Sequence, residues 1–362
     1  MSETSVAVAN AASTIRRKLT SAMWRVLPGK DRAAFVERPF ELHLEFTNLC
    51  NANCVFCPYH LQERPHENMD DEVFQRAVSQ FVAFGGGSVG LTPIVGDALI
   101  HPKFLERVRY LRSIPQIDRI TLTTNAILLD RHGVEEVLDA GLLRINIRVA
   151  GFDAEMYRRV YLKPGYKKVR DNVAQLYELN AKRADPVPLF LCLRPDRPWE
   201  EVAGHPDFKP FLQYDLQIDY IDVFSRSGGL VGPLPEGMTQ MPEELHIKRK
   251  PCAFTYSGLV VLSNGDVQVC ICESSVNAPA LIVGNIREES LDENWAGERI
   301  RALRASFGNG TLNSNCAKCD YNYRPAEFHS PAMRKRAKDA RRLQQGVIVR
   351  HTDPVTGVWQ VE

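Results

Sequence analysis

The feature that most constrains this chain is a strict alternation of strand-like and helix-like segments between residues 41 and 224. ELHLEFT (41–47) alternates as a half-buried strand does, and DEVFQRAVSQFVAF (71–84) carries apolar residues at helical spacing before three glycines. The strand signal returns in SVGLT (88–92), RITLTT (119–124), LLRINIRVA (142–150), PLFLCLR (188–194) and QIDYIDVF (217–224), with helix-like stretches between. Such alternation predicts an α/β fold with a parallel sheet, because parallel neighbours need a crossover and a helix usually supplies it. Six strands predict a partial (β/α)6 TIM-like barrel rather than the closed eight-stranded form. Reactive groups in such folds sit on loops at the C-terminal ends of the strands.

The flanks read differently. Residues 1–38 are predicted to be an N-terminal helical leader, 39–225 the barrel, and 226–250, rich in Gly, Pro and charge, a linker or active-site loop. YSGLVVLSNGDVQVCI (256–271) places two strand-like runs around Asn264-Gly265, a strong hairpin signal. SLDENWAGERIRALRASFG (290–308) is predicted to be one helix, inside a small cysteine-rich α+β domain over 251–325, followed by a basic tail over 326–362.

The net charge of +1 gives no electrostatic case for nucleic acid or an anionic membrane. No apolar run approaches the roughly 18–20 residues of a bilayer span. The first residues are no secretory signal, because the basic pair Arg16-Arg17 follows the mildly apolar part. A cytoplasmic protein is therefore expected. Nine cysteines need a reason in such a chain, and eight are grouped: 50, 54 and 57; 252; 270 and 272; 316 and 319, with Cys192 alone. Clustered thiols outside an oxidising compartment read as metal or redox ligands.

CNANCVFC holds Cys50, Cys54 and Cys57, a few residues past the first strand. Three thiolates are one short of a closed metal site. Zinc would recruit His60 to make Cys₃His; an iron–sulfur cube would keep one iron free of protein ligands. The spacing Cys-x3-Cys-x-aromatic-Cys, with Phe56 at the aromatic place, resembles the signature of the radical S-adenosylmethionine (SAM) enzymes. The resemblance implies that the open iron binds SAM, that the cluster's electron breaks a sulfonium C–S bond, and that a 5′-deoxyadenosyl radical takes hydrogen from substrate. It also implies SAM contacts at Phe56 and Tyr59, at Gly96 and Asp97 (where the family often has Gly-Gly-Glu), and at Asn125 in TTNA. Arg148 stands where the family usually has a serine. Arg148 and Arg194 are candidates for the SAM carboxylate, since an arginine fork suits carboxylates; an outward-facing structural role is the competing reading for Arg148.

Cys252, Gly265, Cys270 and the Cys316-x2-Cys319 pair resemble the SPASM and twitch domains that hold auxiliary clusters behind such barrels. No later run of cysteines follows, which implies the shorter version with one auxiliary cluster on Cys252, Cys270, Cys316 and Cys319, and two [4Fe–4S] clusters in all. A Cys₄ zinc ribbon is the competing reading. Cys272, two residues from Cys270, is an alternative ligand on the same strand face or a hydrogen-atom donor, and Cys192 a buried inert thiol.

The resemblance implies an oxidoreductase, or an isomerase or lyase by outcome, acting on a small polar molecule such as a sugar or aminocyclitol by oxidation or epimerisation. A peptide-modifying maturase, a sugar dehydratase or decarboxylase, and a non-catalytic zinc protein are the alternatives. Asp222 and Arg226, beyond the sixth strand, are the substrate-contact candidates. A flavodoxin or ferredoxin reductant is the expected protein partner.

Overall fold

The computed structural model describes residues 38–221, 223–241, 252 and 254–319, and the backbone of 348–349, 351–352 and 359–360. The predicted leader, Asp222 and most of the basic tail lie outside the described residues. The sheet begins with β1 (Glu41–Leu44), β2 (Gly87–Leu91), β3 (Ile117–Thr124), β4 (Arg144–Val149), β5 (Leu189–Leu193) and β6 (Gln217–Tyr220), each parallel to the next. Between them run α1 (Asp71–Ala83), α2 (Phe104–Ser113), α3 (Val134–Asp139), α4 (Ala154–Tyr161), α5 (Tyr166–Ala181) and α6 (Trp199–Gly204).

Local chemistry explains the elements. Asp70 caps α1 by accepting from the Val73 N–H, and Val73, Phe74, Ala77, Val78 and Phe81 form its buried stripe. At Gly87 an added Cβ would lie 2.2 Å from the Phe40 carbonyl oxygen, so only glycine lets β2 start against β1. The pleat divides the sheet. Leu42, Val89, Ile120, Ile145, Ile147, Leu191 and Ile218 enter the main core with the helices. His43, Thr123, Asn146, Arg148, Cys192 and Asp219 occupy the alternate positions, so they line the opposite, inner face.

The hairpin forms as expected, from β7 (Gly258–Val261) and β8 (Asp266–Gln268) with Gly265 at φ 93°, and β9 (Ile282–Asn285) pairs antiparallel to β8. It is not a detached unit: β7 pairs in parallel with β1, Leu42 opposite Leu259, so one sheet runs β9-β8-β7-β1-β2-β3-β4-β5-β6. Ile348–Val349 adds a short parallel strand beside β6. Two predicted elements change. The helix over 290–308 is two, α7 (Leu291–Ala296) and α8 (Glu298–Asn309), because Gly297 takes extended geometry between them and caps the second. The sixth strand stops at Tyr220, and Val223–Phe224 pairs instead with Thr239–Gln240. No helix among the described residues is long and apolar enough to cross a membrane.

Candidate active site

The cysteine loop leaves β1 through Glu45, whose side chain is fully buried. Arg64 returns to it with both ends of its fork, Nη1 to Oε2 at 2.8 Å and Nη2 to Oε1 at 2.7 Å. The Ser263 N–H and hydroxyl also donate to Glu45 Oε2, at 3.0 and 3.1 Å. Asn48 and Thr47 close the same neck against Pro65 and Glu67. A buried carboxylate with four donors is stable where a bare one would not be. The loop's far side rests on the end of α4, where Asn53 N–H donates to the Tyr161 carbonyl and Val55 N–H to the Val160 carbonyl. Those are terminal carbonyls that the helix itself cannot satisfy.

On this frame Cys50, Cys54 and Cys57 come close enough to influence one another's charge. Burial pushes the Cys50 thiol up to about 11, with Asp97 adding to it, and the Cys57 thiol up to about 12, with Glu273 adding to it. Burial also raises the Cys54 thiol well above its ordinary value, reinforced by Cys57 and Cys50 and opposed by Arg194. Bare thiols here would stay protonated. Thiolates become favourable only when a cation joins them, which fits an iron cluster. No group of three or more Cys, His, Asp or Glu among the described residues converges tightly enough to hold a single ion.

The predicted SAM contacts surround this loop. Tyr59 accepts the Cys50 N–H on its hydroxyl at 2.9 Å. Phe56 stacks on Phe224 and meets Tyr161 edge-on. Gly96 has φ 92°, and an added Cβ would lie 2.6 Å from the Thr47 carbonyl oxygen. Asp97 is buried, and its carboxylate is turned into the protein: Oδ1 accepts from Leu99 N–H, Oδ2 from the Thr124 hydroxyl and Asn125 N–H. Burial outweighs those three donors and pushes Asp97 up to about 6. Asn125 Nδ2 donates to Asn51 Oδ1 at 2.7 Å and points at Cys50 Sγ from 3.9 Å. Arg194 lies 5.5 Å above the Phe56 ring, with Nη1 buried and without a hydrogen-bond partner. Arg148 stands on the inner face, in register with Cys192. Arg226 donates to Gln240 at 3.3 Å, in the loop over the sheet's C-terminal end.

The second group of thiols gathers beyond the hairpin. Cys272 feels the charge of Cys270, Cys319 and Cys252, and its N–H points at Cys270 Sγ from 3.5 Å. Cys316 receives the Asn313 side-chain amide on its sulfur at 3.5 Å, and Cys319 N–H returns to the Cys316 carbonyl. The shared strand face expected for Cys270 and Cys272 is absent. β8 ends at Gln268, and both cysteines lie in a turn braced by Gln268 and Ser275. Cys192 is buried as expected. Glu273, which sequence reasoning passed over, links the two groups: it accepts the Ser227 hydroxyl at 3.1 Å and acts electrostatically on Cys57 and Arg194. Its signal was adjacency to Cys272. Tyr157 and Tyr161, stacked at 5.0 Å beside the first loop, were also missed, although they stand one helical turn apart.

Comparison with known proteins agrees with this geometry. Residues 44–208 match the model of the radical SAM superfamily, and residues 252–320 that of an iron–sulfur cluster-binding domain, SPASM. GTP 3′,8-cyclase of Listeria monocytogenes is 30% identical over 186 residues, 50% of this chain and 53% of that protein. The same enzyme of Klebsiella pneumoniae is 30% identical over 146 residues, 39% of this chain and 43% of that protein. The chain thus spans about half the length of the curated relatives it matches. Among solved structures, BtrN in complex with AdoMet and 2-DOIA superposes with a TM-score of 0.52 at 16% identity, over 78% of this chain and 93% of that one. Streptococcus suis SuiB bound to precursor peptide SuiA gives 0.57 at 14% identity, over 79% and 72%. Motif, parallel barrel, hairpin and matched models agree: the chain belongs to the radical SAM superfamily and carries a SPASM-type iron–sulfur domain behind its barrel.

Proposed function

We propose that this enzyme abstracts hydrogen from a small polar molecule, of sugar or aminocyclitol type, and that the outcome is oxidation or epimerisation. One observation carries the reading: Glu273 ties the second thiol group to the mouth of the barrel, beside Cys57 and Arg194. An auxiliary cluster there would lie near a substrate radical and could accept its electron. The bound cluster and SAM together supply the 5′-deoxyadenosyl radical. Cys50, Cys54 and Cys57 would hold the first cluster, and Cys252, Cys270, Cys316 and Cys319 the second. Phe56 and Tyr59 shape the adenosine side, and Arg194 offers its partnerless Nη1 to a carboxylate. Asp97 acts through the loop it ties. Arg148, Asn146 and Thr123 on the inner face suit hydroxylated substrates, Asn146 Nδ2 donating to Thr123 Oγ1 at 3.1 Å. Cys272, packed among the second thiols, suits an electron-transfer neighbour better than a hydrogen donor inside the barrel. The boundaries 39–225, 226–250 and 251–325 remain part of this proposal, as does a flavodoxin-type reductant.

Anaerobic reconstitution tests it. Two cubes give about eight irons per chain, and replacing Cys50, Cys54 and Cys57 by Ala leaves about four and abolishes SAM cleavage. Colourless protein holding zinc would refute the assignment. With candidate sugars in deuterated water, a ketone marks oxidation and solvent deuterium at carbon marks epimerisation.

A further inference from the structure

The segment from Arg158 to Arg170 contains six basic residues and no acidic one, in a chain of net charge +1. It comprises the end of α4, a short connection and the start of α5. The cysteine loop docks on this segment through the Tyr161 and Val160 carbonyls. Around that junction the surface is basic and partly apolar. Leu162, in left-handed conformation, is 51% exposed, more than any other large hydrophobic residue described. Arg158 and Lys163 are exposed and form no ion pair among the described residues. Some of the neighbours are neutralised: Arg159 by Glu155 and Asp196, Lys167 by Asp171, Lys168 by Asp130, and Arg170 by Asp171 and Asp207.

A second observation points inward from the same patch. Tyr166, half-buried within it, lies 6.1 Å from the Tyr157 ring. Tyr157 stacks on Tyr161 at 5.0 Å, and Tyr161 meets Phe56 at 6.1 Å. Phe56 stands between Cys54 and Cys57. An unbroken run of rings thus joins this surface to the cysteine loop.

We propose that this face is the docking surface for a small acidic one-electron carrier protein. Opposite charge would steer encounter, Leu162 would seat the contact, and the donor would be held over the run of rings that leads to the first thiols. The step moves one electron from the carrier's reduced group to the cluster, oxidising the first and reducing the second, with no atom transferred. The inference rests on the reading of Cys50, Cys54 and Cys57 as cluster ligands.

The test compares two reductants on the reconstituted enzyme: flavodoxin recycled by its NADPH-dependent reductase, and dithionite. In the variant Arg158→Glu/Lys163→Glu/Lys167→Glu, 5′-deoxyadenosine formation with flavodoxin should fall about tenfold or more, while the dithionite rate stays at wild type. The wild-type flavodoxin rate should fall with added salt, and flavodoxin affinity for immobilised enzyme should drop in the variant. The triple Gln variant should lie between. An unchanged flavodoxin rate, or equal losses with both reductants, overturns the proposal. So does loss of sedimentation with phosphatidylserine vesicles in the variant at unchanged flavodoxin rate, which assigns the patch to a membrane. If dithionite yields no 5′-deoxyadenosine from wild type, the proposed function fails, and flavodoxin affinity alone decides the docking.

Discussion

Asn125 donates its main-chain N–H to Asp97 Oδ2 at 2.8 Å while its side chain holds Asn51 in the cysteine loop. The loop after β2, the end of β3 and the thiol loop are therefore one hydrogen-bonded unit.

That unit has a pH signature. Asp97 is pushed up to about 6 from 3.8, so the folded state holds its proton more tightly than the unfolded state. Its contribution is complete below about 3.8 and is lost as pH rises through about 6, on the order of 3 kcal/mol. Urea unfolding of wild type and Asp97→Asn between pH 5 and 7.5 should show the wild-type advantage shrinking as pH rises. A constant difference would contradict the assignment.

The Glu45–Arg64 pair should be costly to break and cheap to replace. Glu45→Ala strips Arg64 of both fork contacts, leaving it only Gln62 Oε1 at 3.3 Å as a hydrogen-bond partner, and should cost about 3–5 kcal/mol. Glu45→Met/Arg64→Met, which removes both charges, should recover most of that loss. Denaturant midpoints of the single and double variants decide it.

Gly96→Ala should disturb the site more than the fold. The added methyl meets the Thr47 and Leu49 carbonyl oxygens at 2.6 and 2.9 Å, at a φ that side chains avoid. A loss of about 1–3 kcal/mol is expected. The thiol loop must shift to accept it, so SAM affinity, read by equilibrium dialysis, should fall.

Glu273→Gln removes a negative charge near Cys57 while keeping an acceptor for Ser227. Reduction adds an electron to the cluster, and a nearby carboxylate opposes that. The potential of the first cluster should therefore rise, as read by EPR-monitored titration. An unchanged or lowered potential would show that Glu273 does not act there.

The barrel strands were legible because each carries a buried apolar row, and around α1 the punctuation is explicit: Asp70 caps its start and Gly87 opens β2 beyond its end. The thiols were legible from spacing alone. Hidden from sequence was everything fixed by long-range pairing. Ser263 reaches Glu45 across more than two hundred residues, and Glu273 acts electrostatically on Cys57 of the first loop from a turn that periodicity does not describe. The break at Gly297 was missed because the apolar spacing continues past it while the backbone does not.

The parallel pairing of β7 with β1 bears on how this protein can be dissected. A fragment ending near residue 225 would uncover the whole hydrogen-bonding rim of β1, beside the loop that carries Cys50. Such a rim invites pairing with another chain. The barrel taken alone should therefore aggregate, and its failure to hold iron would then report a missing neighbour strand rather than missing ligands.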